Sequence, residues 1–339
     1  MLERIRASAR ILILIIGDKM KPIGKKEVLF LLIPFLCTAC STGKTDAKTV
    51  SNEVPDRYLQ ERKTEKGRIE TFTYETKDYA LGSFKTTEKD CNVYLPYGYD
   101  ESKQYNILYL IHGTDKQDVD HINTWFETIK ARVILDNLIY YKEIDPLIVV
   151  TPTFYSYQLY GDDTAQNIKD YSPVKEHSNQ NFISELRLDL LPSVEKKYHT
   201  FADKTTDEKS LAGSRNHRAI AGLSNGCRLT LSAGMKNSFD YFSYYGCYSS
   251  YIDGKELLDS LRQEKFKGLK LNYMFNADGI YDFAYNGHRK MVDYLLENGQ
   301  DIFTEENTEY VKVDMGYHSA RSWRVGLFDS LLCFFKESK

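Results

Sequence analysis

The sequence has little proline (8 of 339 residues), only two tryptophans and no run of 18 or more uninterrupted apolar residues. The last absence excludes a helical membrane span of ordinary length, and 20 glycines are far too few for a collagen-like repeat. A strong charge of either sign is missing too, since 45 Lys and Arg stand against 48 Asp and Glu. No basic stripe interleaved with aromatics is visible, so nothing points to nucleic acid. No Cys/His cluster has metal-ligand spacing, and no structural zinc is implied. What is present is a globular profile, 42% hydrophobic and 27% charged, with 13% aromatic residues that include 26 tyrosines. Tyrosine excess alone does not separate a sugar- or phenol-binding surface from a compositional habit.

Charge is unevenly spread. Residues 1–40 carry seven basic against three acidic residues, which leaves 38 against 45 for the remainder. From Met20 a basic start (Lys21, Lys25, Lys26) leads into an apolar core, Val28 to Leu36, and then into small residues before Cys40. This is the three-part pattern of a secretory signal. Its end, Leu36-Cys37-Thr38-Ala39-Cys40-Ser41, resembles a bacterial lipoprotein box with leucine one residue further from the cysteine than usual. The expectation is export with lipidation at Cys40, a membrane partner through that anchor, and a true start at Met20. Residues 41–66 are polar and read as a flexible tether, leaving 67–339 as one domain. Cys91, Cys227, Cys247 and Cys333 lie singly in apolar segments and read as buried free thiols.

In the body, short β-branched or aromatic runs appear at 69–74, 92–95, 107–111, 147–151, 218–221, 241–248, 271–275 and 310–313. Amphipathic stretches at 121–141, 182–198, 225–235, 287–298 and 320–336 predict helices. The alternation predicts an α/β three-layer sandwich with a mainly parallel central sheet and no large lid domain.

Gly222-Leu223-Ser224-Asn225-Gly226 is a G-x-S-x-G sequence set between an apolar strand run and a helical run. That context is a nucleophile elbow, in which small residues let the chain turn tightly and expose the serine hydroxyl. Serine needs a general base. With the order serine, acid, histidine expected on this sheet, only His288 and His318 of the seven histidines follow Ser224. His288 falls early in a helix and reads as surface, whereas His318 lies on a loop between the last strand and the last helix. Asp278 and Asp282 both sit after the strand at 271–275, and spacing does not decide between them. The oxyanion hole is expected from the backbone N–H groups of Asn225, next to the nucleophile, and of Thr114, after His112-Gly113. His112 reads as a brace for that loop. Triad chemistry of this kind calls for no metal and no cofactor.

With these residues in place the body, about 67–338, resembles the esterase-D-like branch of the α/β-hydrolases, the carbohydrate-esterase family that contains bacterial feruloyl esterases. The resemblance rests on Val93-Tyr94-Leu95-Pro96-Tyr97-Gly98-Tyr99, on Leu108 to Gly113 followed by Asn123-Thr124-Trp125-Phe126, on Ile134 to Ile139, on Arg218 to Ser224, and on Gly316-Tyr317-His318 with Trp323 five residues on. It implies a G-x-x-D acid, here Gly279-Ile280-Tyr281-Asp282, which favours Asp282. Two departures are Cys227, where the family has a second glycine, and Tyr317, where it has glycine before the histidine. The implied activity is release of ferulate or another hydroxycinnamate from arabinoxylan. Acetylxylan esterase, siderophore esterase and acyltransferase are the enzymatic alternatives, and an inactive glycan-binding lipoprotein is the non-enzymatic one. Trp125, Tyr155 and Tyr317 are expected at the substrate site, with the long segment 154–181 shaping the pocket.

Overall fold

Eight strands form one sheet, and each overlaps one of the runs read from sequence: β1 (Arg68–Lys77), β2 (Thr86–Leu95), β3 (Asn106–Ile111), β4 (Leu147–Pro152), β5 (Arg218–Leu223), β6 (Tyr244–Tyr248), β7 (Tyr273–Gly279) and β8 (Thr308–Val313). The computed structural model describes residues 52–82, 85–114, 121–156 and 171–336. The leader, Cys40, Tyr157 and Tyr160 lie outside that range.

The sheet order is β1-β2-β4-β3-β5-β6-β7-β8. Strand β2 runs antiparallel to β1 and β4, and every other neighbouring pair is parallel. Parallel strands joined by crossovers must be covered on both faces. Accordingly Ile107, Tyr109 and Ile111 of β3 enter one apolar core while Leu108 and Leu110 enter the other. All five are at most 1% exposed, and burying each large aliphatic contributes roughly 1.5–3 kcal/mol.

The helices show where local pattern was overridden. The stretch 121–141 breaks into α1 (Thr124–Glu127) and α2 (Ala131–Tyr140), because Lys130 takes a left-handed backbone, φ 61°. The helix expected at 182–198 begins earlier: α3 (Tyr171–Glu185) passes through a π-helical turn, Leu186–Leu190, into α4 (Leu191–Lys197). Residues 171–181 of the expected loop 154–181 are therefore helix, with Pro173 in its first turn, where a missing N–H costs little. Two short helices are not among the stretches predicted from the sequence, α5 (Glu208–Gly213) and α7 (Gly254–Leu261), although Leu257, Leu258 and Leu261 give α7 a buried apolar face. Between them α6 (Asn225–Leu229) continues as a π-helical segment, Thr230–Lys236. Helices α8 (Tyr285–Asn298) and α9 (Ala320–Cys333) complete the layers.

The tether boundary needs correction. Val54 and Tyr58 are 8% and 3% exposed, and the Tyr58 ring lies 4.9 Å from that of Phe328 on α9. The Asn137 side-chain amide on α2 donates to the carbonyls of Tyr58 and Gln60, at 3.3 and 2.9 Å. Two isolated apolar side chains and one amide clamp dock a segment whose average composition is that of a solvated linker.

Under β5 lies a buried ion pair. Arg218, 1% exposed, grips Glu195 of α4 through Nε (2.5 Å) and Nη2 (2.9 Å), and donates to the carbonyls of Leu211 and Tyr241. Burial by itself would lower the guanidinium's pKa, but Glu195 overrides this and holds it above its ordinary value. Among the described residues Cys91, Cys227, Cys247 and Cys333 are buried and form no disulfide.

Candidate active site

The turn after β5 forces Ser224 into φ 53°, ψ −121°, a conformation that costs energy for any residue with a side chain. Glycine on either side makes it attainable. A Cβ on Gly222 would run into the backbone of Gly226, and one on Gly226 would strike the carbonyls of Ile111 and His112. The result is a half-buried hydroxyl at the C-terminal edge of the sheet, beside the loop that follows β3.

His318 comes from the loop between β8 and α9. Its Nε2 lies 3.0 Å from Ser224 Oγ, and its Nδ1 lies 3.0 Å from each oxygen of Asp282. An ionised carboxylate can only accept, so the Nδ1 proton points to Asp282 and Nε2 is left to accept the serine hydroxyl. Burial acts to raise the Asp282 carboxyl. Hydrogen bonds from His318, from the Ala284 N–H and from the Ser249 hydroxyl outweigh it, so that Asp282 stays below the ordinary carboxylate range.

Asp278 is engaged elsewhere. It is fully buried on β7, where it accepts from the Tyr310 hydroxyl at 2.7 Å, and its Oδ2 lies 2.6 Å from His288 Nδ1. His288, expected at the surface, is also fully buried, and its Nε2 faces Asn276 Oδ1 at 3.0 Å. An amphipathic helix lets its polar residue face inward when the strand beneath supplies polar partners.

The loop after β3 is braced as its sequence suggests. His112, 1% exposed, contacts the Gly113 carbonyl (2.7 Å) and Thr153 Oγ1 (3.0 Å), and stacks on Phe154 with ring centroids 4.3 Å apart. Gly113 packs so closely that a Cβ would meet Ser224 Cβ at 3.2 Å, which brings exposed Thr114 to the rim beside the nucleophile. Asn225 is 7% exposed, and its side chain donates to Asn179 Oδ1 on α3 at 2.9 Å. Cys227, in place of a glycine, buries its thiol against the Ser250 carbonyl at 3.2 Å.

Two aromatic expectations are corrected. Trp125 is fully buried, its ring 6.2 Å from that of Tyr248, because the indole fills the core behind β6 instead of lining a substrate surface. Tyr155 is 2% exposed and packs on Phe154 and His112, so it backs the loop after β3 and offers no open wall. Tyr317, by contrast, is 58% exposed.

Other contacts at the site do not follow from the sequence reading, although Trp323 is among the residues that carry the family resemblance. Ser249 follows β6 in a left-handed conformation, φ 62°, and accepts from Trp323 Nε1 at 2.9 Å while donating to Asp282. The Trp323 ring also meets His318 edge-on, 5.0 Å away at 89°. Phe283 also packs on the imidazole, with ring centroids 4.3 Å apart. A serine after a strand is too common to single out, but an aromatic directly after the acid could have been noticed.

Comparison with known proteins gives the chain a family and related structures. The family described as "Putative esterase" matches residues 82–279, more than half of the chain, ending before Asp282 and His318. Endo-1,4-beta-xylanase Y of Acetivibrio thermocellus is 39% identical over 206 residues, which make up 60% of this chain and 16% of that protein. The endo-1,4-beta-xylanase/feruloyl esterase of Xylanibacter ruminicola is 29% identical over 199 residues, 57% of this chain and 23% of that one. The chain thus spans less than a quarter of either relative. Among solved structures, a feruloyl esterase module from Clostridium thermocellum complexed with sinapinate is 30% identical, with a TM-score of 0.69 over 88% of this chain and 98% of that one. A ferulic acid esterase from Anaeromyces mucronatus, at 22% identity and TM-score 0.65 over 84% of this chain and 97% of that one, shares the fold. By its match to the family and its mainly parallel sheet, the chain belongs to the "Putative esterase" family and has an α/β-hydrolase fold.

Proposed function

We propose that the protein hydrolyses hydroxycinnamate esters of plant arabinoxylan, releasing ferulate, by two-step acyl transfer through Ser224, His318 and Asp282. The observation that carries the reading is the unbroken chain from Ser224 Oγ through His318 to Asp282 on an esterase fold. His318 takes the serine proton as Oγ attacks the ester carbonyl. The negative charge that develops on the carbonyl oxygen is met by the N–H groups of Asn225 and Thr114. His318 returns the proton to the leaving alcohol, and then activates a water that releases the acid. Similarity to feruloyl esterase modules supports the acyl group and the polysaccharide. The leader supports export, with a lipid anchor at Cys40 holding the enzyme at a membrane surface.

Incubation with wheat arabinoxylan, followed by chromatography of the released acids, is expected to yield ferulate in clear excess over acetate. Acetate alone would replace this reading with that of an acetyl esterase.

Ser249 acts here as a positioning residue, through its hydrogen bond to Asp282. Ser249→Ala is expected to lower kcat on methyl ferulate about tenfold with KM within twofold, because a looser carboxylate misorients the imidazole without altering binding. Equal change in kcat and KM, or a loss accompanied by a large fall in melting temperature, would mark Ser249 as merely structural.

A further inference from the structure

Beside His318 the surface carries four uncharged side chains that most folds would bury. Phe283 is 81% exposed, Met315 64%, Tyr317 58% and Tyr281 53%. They are not scattered. Tyr281 and Phe283 flank Asp282, and Met315 and Tyr317 stand just before His318, so one patch is shared by the two loops that bear the acid and the base. The Tyr281 and Tyr317 rings are 5.2 Å apart at 34°, the Tyr281 hydroxyl lies 3.8 Å from Met315 Sδ, and Phe283 covers the imidazole.

The backbone beneath is firmly tied. Tyr281 N–H donates to the Gly316 carbonyl at 2.9 Å and Ile280 N–H to that of Val313 at 3.2 Å. Gly279 abuts Gly316 so closely that a Cβ at Gly279 would strike its backbone. Met315 is held at φ 53°, an uncommon conformation for such a side chain. Exposed apolar side chains gathered on firmly tied backbone at a catalytic rim mark a binding surface.

The reaction geometry says which part of the ester meets it. The carbonyl oxygen must face the N–H groups of Asn225 and Thr114. The leaving oxygen must receive its proton from His318 Nε2, so it and whatever it carries lie on the imidazole side. We propose that Tyr281, Phe283, Tyr317 and Met315 form a platform for the polysaccharide half of the substrate, stacking against the C–H faces of neutral sugar rings, while the acyl group binds elsewhere. This rests on the function proposed above, because it takes the leaving alcohol to be part of a glycan. The four side chains themselves are uncharged, which suits stacking on a neutral pyranose chain.

The test uses the full chain and two ferulate esters, methyl ferulate and a feruloylated arabinoxylan oligosaccharide. In Tyr281→Ala/Tyr317→Ala, and separately in Phe283→Ala, the ratio of kcat/KM for the oligosaccharide to that for methyl ferulate should fall about tenfold. Tyr97→Ala removes an equally exposed tyrosine from the turn between β2 and β3, where the chain enters the N-terminal end of β3 away from the catalytic loops, and should keep the wild-type ratio. An unchanged ratio in the platform variants overturns the proposal. Binding is read independently of hydrolysis by electrophoresis of Ser224→Ala in gels containing de-esterified arabinoxylan. Retardation that disappears with the added Tyr281→Ala/Tyr317→Ala changes supports the platform, and no retardation of Ser224→Ala overturns it. A protein that is retarded but releases no ferulate would keep the platform and discard the feruloyl assignment.

Discussion

Ser224→Ala should reduce kcat/KM on a p-nitrophenyl or feruloyl ester by at least about 10⁴-fold while leaving the melting temperature within a few degrees of wild type. The loss is large because the hydroxyl is the group that forms the acyl bond, and neither His318 nor the oxyanion donors can substitute for it. The fold should survive because the strained turn is made possible by Gly222 and Gly226, and not by the serine hydroxyl. Steady-state kinetics with thermal melting of the same preparation checks both halves. Near-wild-type turnover would remove Ser224 from the reaction altogether.

A paired substitution separates the two aspartates. Asp282→Asn should lower kcat about 10³- to 10⁴-fold, because an amide in that position no longer demands the Nδ1 proton of His318 and permits the wrong tautomer. Asp278→Asn should instead act on stability. Its carboxylate is buried against Tyr310 and His288, and an imperfect replacement leaves those groups short of a partner at a cost of about 1–3 kcal/mol. For a domain of this size that is a fall of several degrees in melting temperature, about 2–4 °C per kcal/mol. The expected result is thus crossed: one variant folded and slow, the other active and less stable. The reverse pattern would exchange their roles. The acid limb of stability should respond as well. Asp282 is held below its ordinary range in the folded state, so its contribution is complete above the unfolded carboxylate value and disappears as pH falls through the folded one. In Asp282→Asn that part of the acid sensitivity should be gone.

Ser224 could be read from the sequence because everything that makes it special is local: a strand, two glycines and a helix within about fifteen residues. Chain order left His288 and His318, and the loop position of His318 decided between them. The two aspartates could not be separated by residues alone, because the difference lies in where β7 stops. The apolar run ends at Phe275, but the strand continues to Gly279, with Asp278 paired in register with Lys312. Asp278 is therefore a strand residue facing the interior, and Asp282 is the one on the loop. Trp125 and Tyr155 illustrate a second kind of blindness. An aromatic in an apolar context looks the same whether it lines a cleft or fills a core, and only packing by distant segments, Tyr248 for one and His112 for the other, decides. The docking of Val54 and Tyr58 was hidden for the same reason, since their partners on α2 and α9 lie far along the chain.

The buried Arg218–Glu195 pair has a consequence for how sequences of this fold can drift. Either residue replaced alone strands a charge in the interior, a loss of about 3–5 kcal/mol, whereas joint replacement by apolar side chains of similar volume can be nearly neutral. Yet Arg218 also serves the carbonyls of Leu211 and Tyr241, so a joint exchange must find new donors for both. Accessible single steps lead downhill in fitness, and the route around them needs several changes at once. The strand that delivers the nucleophile is in this way guarded by a residue that never meets the substrate.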